Sequence, residues 1–187
     1  LVFALAGSCL AEQEPVRVIL SDCETGEGWI ATEGGNYMTD ASISSEGKAS
    51  WKLETKPDNG MFFFFAGPGV DATGADYLVL DFYTDDANVF QNAADCGINV
   101  GSIVNDWDGS GVAVTAAALQ SQTLTAGEWN HLILPLNFTT ATDKFDIAAI
   151  KTIRFYAAGL TGTHTFRVDN VLLANEAGLK EPEEPAP

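Results

Sequence analysis

Aromatic rings and planar polar side chains occupy alternate positions in two apolar segments of this sequence. Asp81 and Tyr83 alternate with leucine and phenylalanine in one segment, and Arg154 and Tyr156 alternate with isoleucine and phenylalanine in another. Because successive side chains of a β-strand point to opposite faces, these four residues are predicted to lie on the non-core faces of their strands. Rings stack on apolar C–H surfaces, and carboxylate and guanidinium groups hydrogen-bond to hydroxyls. The combination favours a neutral ligand that has both apolar C–H surfaces and hydroxyl groups.

A third segment extends this set. Asp95 and Asn99 are predicted to face outward, while Cys96, Ile98 and Val100 face inward. If the three strands belong to one sheet, their outer side chains line one groove, with a loop tryptophan as a wall. The predicted binding residues are Tyr83, Asp81, Arg154, Tyr156, Asp95, Asn99 and Trp107, which Tyr77 and Tyr37 would extend.

Other interpretations of these residues stay open. An outward tyrosine often only covers a sheet, and Arg154 with Asp81 would form an ordinary cross-strand ion pair. Trp29, Trp51 and Trp129 are assigned to packing.

Short segments rich in β-branched and aromatic residues recur along the chain, each bounded by Gly, Thr, Asn or Asp, most clearly between residues 127 and 173. This spacing predicts an all-β fold, a two-sheet antiparallel β-sandwich of the jelly-roll type. Only Thr115–Gln120 and Asp146–Ile150 have helical composition. The segment Pro57-Asp58-Asn59-Gly60 predicts a hairpin turn. The four phenylalanines that follow at 62–65 predict either a covering layer or two exposed rings.

Three regions are predicted. Residues 1–15 resemble a signal-peptide remnant and spacer, residues 16–174 form the β-sandwich, and residues 175–187 form an acidic, proline-rich linker. Cys9 is either a lipid-attachment site or part of a leader cleaved after Ala11. Both alternatives predict an exported protein, and no later segment is apolar enough to span a bilayer.

The net charge of the chain restricts the ligands that it can bind, and its cysteines allow two arrangements. With 26 acidic and 9 basic residues, the formal charge is −17, which disfavours nucleic acid and anionic membranes. Neutral ligands and cations remain. Cys23 and Cys96 are either disulfide-bonded, as export permits, or free buried thiols.

Three motifs carry a resemblance to a known family. The first is Ser21-Asp22-Cys23-Glu24 followed by Trp29. The second is Glu128-Trp129-Asn130 followed by the apolar residues 132–136, and the third is the closing segment 166–173 with its Asp169-Asn170 pair. The chain resembles β-jelly-roll, galactose-binding-like carbohydrate-binding modules of secreted bacterial glycan-degrading proteins, over roughly residues 16–174.

The resemblance implies a structural calcium ion that ties the opening strand to the closing one. Glu24 and Asp169 would be its ligands, with backbone carbonyls near Lys48 and with Asp22 as a weaker candidate. Carboxylate and carbonyl oxygens are the donors that calcium prefers. The alternative is that Asp169 caps a turn and Glu24 is solvated.

The resemblance also implies a function. We expect a non-catalytic, monomeric module of a larger secreted or cell-surface bacterial protein. It would bind a neutral polysaccharide, of β-glucan, xylan or mannan type, on a concave sheet face and hold an attached enzyme or cell surface near it. Two alternatives remain: a jelly-roll glycoside hydrolase or polysaccharide lyase, and an adhesion or scaffold domain. His131 and His164 lack any surrounding catalytic motif, but acidic pairs abound and hydrolysis needs only two.

Overall fold

The structure is a computed structural model of the chain. It describes residues 13–31, 36–103 and 111–180, with the backbone alone at 30–31, 36–37 and 58–67. Strands dominate the described residues. They are β1 (Arg17–Ser21), β2 (Trp29–Ala31), β3 (Asn36–Asp40), β4 (Ser50–Glu54), β5 (Asp58–Val70), β6 (Tyr77–Thr84), β7 (Asp95–Gly101), β8 (Val112–Val114), β9 (Trp129–Pro135), β10 (Ile150–Leu160) and β11 (Thr165–Ala174). The helices are α1 (Val89–Asn92) and α2 (Ala116–Gln120), with 3₁₀ turns at Phe138–Thr140 and Ile147–Ala149.

The strands form two antiparallel sheets. The six-stranded sheet has the order β3-β4-β11-β6-β9, and β1 pairs with the end of β11 beyond β4. The five-stranded sheet has the order β2-β5-β10-β7-β8. The predicted two-sheet β-sandwich is therefore confirmed. Most sheet neighbours are distant in sequence, and the exceptions are the consecutive pairs β3–β4 and β7–β8.

The core lies between the sheets and follows the predicted alternation. On β10, Ile153 and Phe155 are 4% and 3% exposed, and on β6 Phe82 is fully buried. The ring centroids of Phe82 and Phe155 lie 5.4 Å apart, so the two sheets are in direct contact. Trp29 and Trp51 are buried and stacked 6.1 Å apart, which confirms their assignment to packing.

One local prediction was wrong. The segment Pro57–Gly60 does not form a hairpin turn, because Asp58 begins β5 and pairs with Leu160 of β10. The pairing of residues distant in the sequence outweighs the local turn preference of Asp-Asn-Gly. The helical predictions were better: Thr115 caps α2, and Asp146 caps a 3₁₀ turn through its side chain.

The chain ends of the domain are joined by Asn175, which is fully buried. Its Oδ1 accepts hydrogen bonds from the backbone N–H groups of Val16 (2.9 Å) and Gly178 (2.8 Å), and its Nδ2 donates to the carbonyl of Glu14 (2.7 Å). Asn175 and Gly178, at the start of the region predicted as linker, are thus buried against the sandwich. No helix of the described residues combines the length and apolarity that a membrane crossing requires. Cys9 lies outside the described residues.

Candidate functional site

The outer face of the five-stranded sheet brings four of the predicted binding residues together. Arg154 of β10 pairs with Asn99 of β7, and Tyr156 pairs with Gly97. Asp95 lies two pairs further along β7, opposite Ala158. Arg154, Tyr156 and Asn99 are half-buried and Asp95 is exposed, whereas the residues that alternate with them are buried in the core. Trp107 lies outside the described residues, as does the side chain of Tyr37.

Arg154 and Tyr156 form a cation–π pair at the centre of this face. The guanidinium carbon of Arg154 lies 5.0 Å from the centroid of the Tyr156 ring. A glycine at position 97 lets the ring occupy this place, because a β-carbon on Gly97 would fall 2.7 Å from the phenol oxygen. The missing side chain at Gly97 lets the ring of Tyr156 extend over β7, and the pair offers a ring and a planar cation side by side.

The electrostatics around Tyr156 keep its hydroxyl protonated. Burial raises the pKa of Tyr156 above its ordinary value, and the negative charge of Asp95 raises it further, against the opposing effect of Arg154. The phenol is therefore a neutral hydrogen-bond donor and acceptor at physiological pH. Together with Asn99 and Asp95, it gives the face groups that match hydroxyls.

The remaining two binding residues are elsewhere, and their predicted grouping with the others was wrong. Tyr83 and Asp81 lie on β6, which belongs to the six-stranded sheet, so they occupy the opposite face of the sandwich. For the same reason Asp81 does not pair with Arg154. Its Oδ1 lies 2.8 Å from Nδ1 of His131 on the neighbouring strand β9. Alternation assigns a face to each residue within a strand, but not the sheet to which the strand belongs.

Tyr83 takes part in a packed cluster of its own. Its ring contacts Trp129 edge-on at a centroid distance of 5.8 Å, and the guanidinium carbon of Arg167 lies 4.9 Å from its centroid. Arg167 in turn donates to Asp40 at 3.0 Å. This supports the packing assignment of Trp129. Arg167 alternates with buried Phe166 and Val168, so the sequence pattern could have assigned it to an outer face. Its contact with Asp40 could not be predicted in this way, because it depends on β4 pairing with both β3 and β11.

The predicted metal ligands line one pocket of about 240 Å³ beside the turn between β1 and β2. Its lining residues are Asp22, Glu24, Glu46, Gly47, Asp169 and Asn170. Gly47 has a positive φ of +59°, and a β-carbon there would overlap the Glu24 carboxylate. Cys23 and Asn170 also have positive φ angles, of 58° and 47°. The backbone thus turns sharply on both sides of an acidic pocket.

Both predicted ligands already accept hydrogen bonds from the loop that precedes β4. Asp169 is 1% exposed, and its Oδ2 accepts the backbone N–H groups of Ser45 (2.8 Å) and Glu46 (3.3 Å). Burial raises the pKa of Asp169, and these hydrogen bonds lower it in part. Glu24 accepts the N–H of Lys48 at 2.7 Å.

The acidic pocket fits a hard cation in charge and in donor type, since four of its six lining residues are acids. Within the described ranges, no three His, Cys, Asp or Glu side chains converge closely enough to hold a metal ion as they stand. Backbone carbonyl oxygens or water would have to complete any coordination shell.

The alternatives for Cys23 and Cys96 are resolved in favour of free thiols, since both are buried without a disulfide. Burial raises the pKa of Cys23 to about 12, and it raises the pKa of Cys96 as well. Neither side chain is a nucleophile in this fold.

Several solved structures of carbohydrate-binding modules have a fold similar to that of this chain. A family 11 carbohydrate-binding module from Clostridium thermocellum, in complex with a β-1,3-1,4-mixed-linked tetrasaccharide, matches with a TM-score of 0.52 and 14% identity over 84% of this chain and 95% of that one. The family 30 module of a cellulosomal cellulase from the same organism has a TM-score of 0.54 and 14% identity, over 87% and 98%.

A mutant family 29 module complexed with mannohexaose also matches, with a TM-score of 0.54 and 14% identity over 91% and 100%. This chain has the β-sandwich fold of carbohydrate-binding modules. The resemblance predicted from three motifs is therefore confirmed at the level of the fold. An agarase matches as well, but this chain covers only 25% of it. No family model and no curated relative matches the sequence.

Proposed function

We propose that this chain is a non-catalytic carbohydrate-binding module, and that it binds a neutral polysaccharide across the outer face of the five-stranded sheet. The observation that carries the proposal is the juxtaposition of Arg154, Tyr156, Asn99 and Asp95 on adjacent strands of that face. A ring for sugar C–H surfaces thus lies beside planar groups for sugar hydroxyls. The two solved modules named with bound oligosaccharides share the fold and support this choice.

The charge of the chain favours a neutral ligand. A formal charge of −17 repels polyanions, and Asp95 adds a carboxylate to the face itself. Neutral chains such as β-glucans, xylans and mannans do not incur this repulsion. In the full-length protein, the module would keep an attached enzyme or a cell surface close to such a chain.

We propose in addition that the acidic pocket holds a structural calcium ion through Glu24 and Asp169. The support is the concentration of four acids, including Asp22 and Glu46, around a volume bounded by Gly47. A bound calcium would supply positive charge where these carboxylates repel one another, and it would connect the β1–β2 turn to β11.

The experiment that tests the glycan site compares variants on the two faces of the sandwich. Tyr156→Ala and Arg154→Ala are each expected to weaken binding to soluble β-glucan or mannan about five- to tenfold by affinity electrophoresis or calorimetry. One stacked ring contributes roughly 1 kcal/mol beyond its buried area, and 1.4 kcal/mol corresponds to a factor of ten. Tyr83→Ala, on the opposite sheet, is the matched control and should leave affinity unchanged.

Two results would contradict the proposal. Wild-type affinity in the Tyr156 and Arg154 variants, or lost affinity only in the Tyr83 variant, would remove the site from the five-stranded sheet. Release of reducing sugar or of unsaturated product by the wild-type protein would instead identify an enzyme.

A further inference from the structure

The row of paired residues through Arg154 continues beyond the last strand of the five-stranded sheet. Arg154 pairs with Asn99 of β7, and Asn99 pairs with Ala113 of β8. Ala113 forms a further antiparallel bridge with Asn137, whose backbone N–H donates to the Ala113 carbonyl at 2.7 Å. Three strand spacings separate Arg154 from Asn137, a distance of about 14 Å. Asn137 thus extends this row of paired residues one position beyond β8, the edge strand of the five-stranded sheet.

The small side chain of Ala113 leaves this row open between two amides. Asn99 and Asn137 lie on either side of it, and all three positions are half-buried. Among the residues that the structure describes in this row, a ligand crossing the strands from Arg154 would pass only Asn99 and Ala113 before it reached Asn137.

Phe138 lies directly after this position and is unusually exposed for its type. Its side chain is 43% exposed, although phenylalanine is normally among the most buried residues. It begins the 3₁₀ turn Phe138–Thr140, in which Asn137 Oδ1 accepts the backbone N–H of Thr139 at 3.1 Å. The hydroxyl of Thr140 lies 2.8 Å from the Asn137 carbonyl and 3.3 Å from that of Gly111.

These hydrogen bonds hold the turn in place before any ligand arrives. A ring on a fixed turn loses little conformational entropy on binding, which favours its use as a contact platform. An apolar ring with 43% of its surface exposed gains free energy when a ligand covers that surface.

We propose that Phe138 forms an outlying aromatic subsite, at which a second stretch of the same neutral glycan chain stacks. This inference rests on the proposed function and extends it. The ligand is the interior of a polysaccharide that crosses the strands from Arg154 towards Asn137, so affinity increases with chain length. A terminal sugar or a disaccharide at Tyr156 does not reach Phe138.

The test measures affinity against chain length by calorimetry. The probes are mannobiose and mannohexaose, with a disaccharide and a longer oligosaccharide from mixed-linked β-glucan as a second pair. Phe138→Ala is expected to weaken binding of the longer oligosaccharides about five- to tenfold, the range for one lost aromatic contact, and to leave the disaccharides unchanged. Phe138→Tyr, which keeps the ring, should retain wild-type affinity.

Ile133→Ala is the matched control. Ile133 is 42% exposed, almost the same as Phe138, but lies on β9 of the opposite sheet, so its loss should affect no oligosaccharide. Thermal midpoints of all variants establish that each one is folded.

The outcomes separate this inference from the proposed function. If Tyr156→Ala abolishes binding while Phe138→Ala keeps wild-type affinity for the longer probes, the outlying subsite is wrong and the central site stands. Equal wild-type affinity for short and long probes would also overturn the subsite. If the wild-type protein binds none of the probes, or if Tyr156→Ala binds like wild type, the proposed function fails and the subsite fails with it.

Discussion

The phenol of Tyr156 lies directly above Gly97, so closely that a β-carbon on the glycine would come within 2.7 Å of the phenol oxygen. Real β-carbons do not approach other atoms so closely, so a residue with a side chain at position 97 would displace the ring. The glycine therefore determines where the aromatic part of the proposed glycan face lies. The ring is the outer end of a flexible side chain, and it can move without unfolding the strand.

Gly97→Ala should consequently reduce glycan affinity more than stability. We expect binding about five- to tenfold weaker, from a misplaced stacking contact of roughly 1 kcal/mol, with a nearly unchanged thermal midpoint. Gly101→Ala is the control, because a β-carbon there would lie 3.1 Å from the methyl group of Thr152 and 4.0 Å from the Ile103 carbonyl oxygen, away from the Tyr156 ring. Equal affinities for the two variants would show that the position of the ring does not matter.

Removal of calcium should destabilise the protein if Glu24 and Asp169 hold the ion. A ligand at a hundred times its Kd stabilises the folded state by about 2.7 kcal/mol, so a chelator should lower the thermal midpoint by roughly 5–10 °C. Glu24→Gln should have a low midpoint that no longer responds to the chelator. Glu176→Gln, at an exposed position outside the pocket, should respond like wild type. A wild-type midpoint that is the same with and without the chelator would contradict the calcium proposal.

Asn175→Ala should be strongly destabilising. The substitution leaves the N–H groups of Val16 and Gly178 without their acceptor, and each unsatisfied buried group costs about 1–3 kcal/mol. We expect a loss of about 2–4 kcal/mol in the free energy of unfolding, measured by urea denaturation. Asn88→Ala is the control, since Asn88 is exposed and makes no side-chain cap to α1. A loss equal to that of the control would mean that the buried amide does not join the chain ends.

Asp40 should make the stability depend on acid pH. Hydrogen bonds from Ser42 and the charge of Arg167 lower the pKa of Asp40 from 3.8 to about 2 in the folded state. Its contribution is complete above the unfolded pKa and disappears as the pH falls from about 4 to about 2. Asp40→Asn should therefore be less stable than wild type at neutral pH, with a difference that shrinks over that interval. A stability difference between wild type and Asp40→Asn that stays constant from pH 7 to pH 2 would show that it does not arise from the lowered pKa of Asp40.

The pKa of Asp169 is shifted in the opposite direction from that of Asp40. Its pKa is raised by burial, so its ionised form is disfavoured in the folded protein, and stability falls as the pH rises through the folded pKa. A bound cation would offset this cost. The two acids are therefore distinguishable in a pH titration of stability.

The local pattern of the sequence determined much of this fold. Alternation correctly assigned the core residues Ile98 of β7 and Phe155 of β10, because a strand packed on one side buries every second side chain. In β6 it correctly assigned Phe82, but Val79 and Asp81, which it placed on the outer face, are buried as well. The side-chain caps of Thr115 and Asp146 were equally local, since each carries out its role within three residues of its own position. Such features depend only on near neighbours in the chain.

Tertiary structure alone decided which faces act together. Nothing within residues 77–83 or 150–160 indicates that β6 joins the six-stranded sheet and β10 the five-stranded one, because both strands have the same period of two. Long-range pairing therefore separated Tyr83 from Tyr156. Long-range pairing within each sheet also brought Glu24 and Asp169 to one pocket, extended the proposed face to Asn137, and made Asp58–Gly60 part of a strand instead of the predicted turn. Each of these relationships joins residues far apart in sequence, and their energies come from packing that no short segment contains.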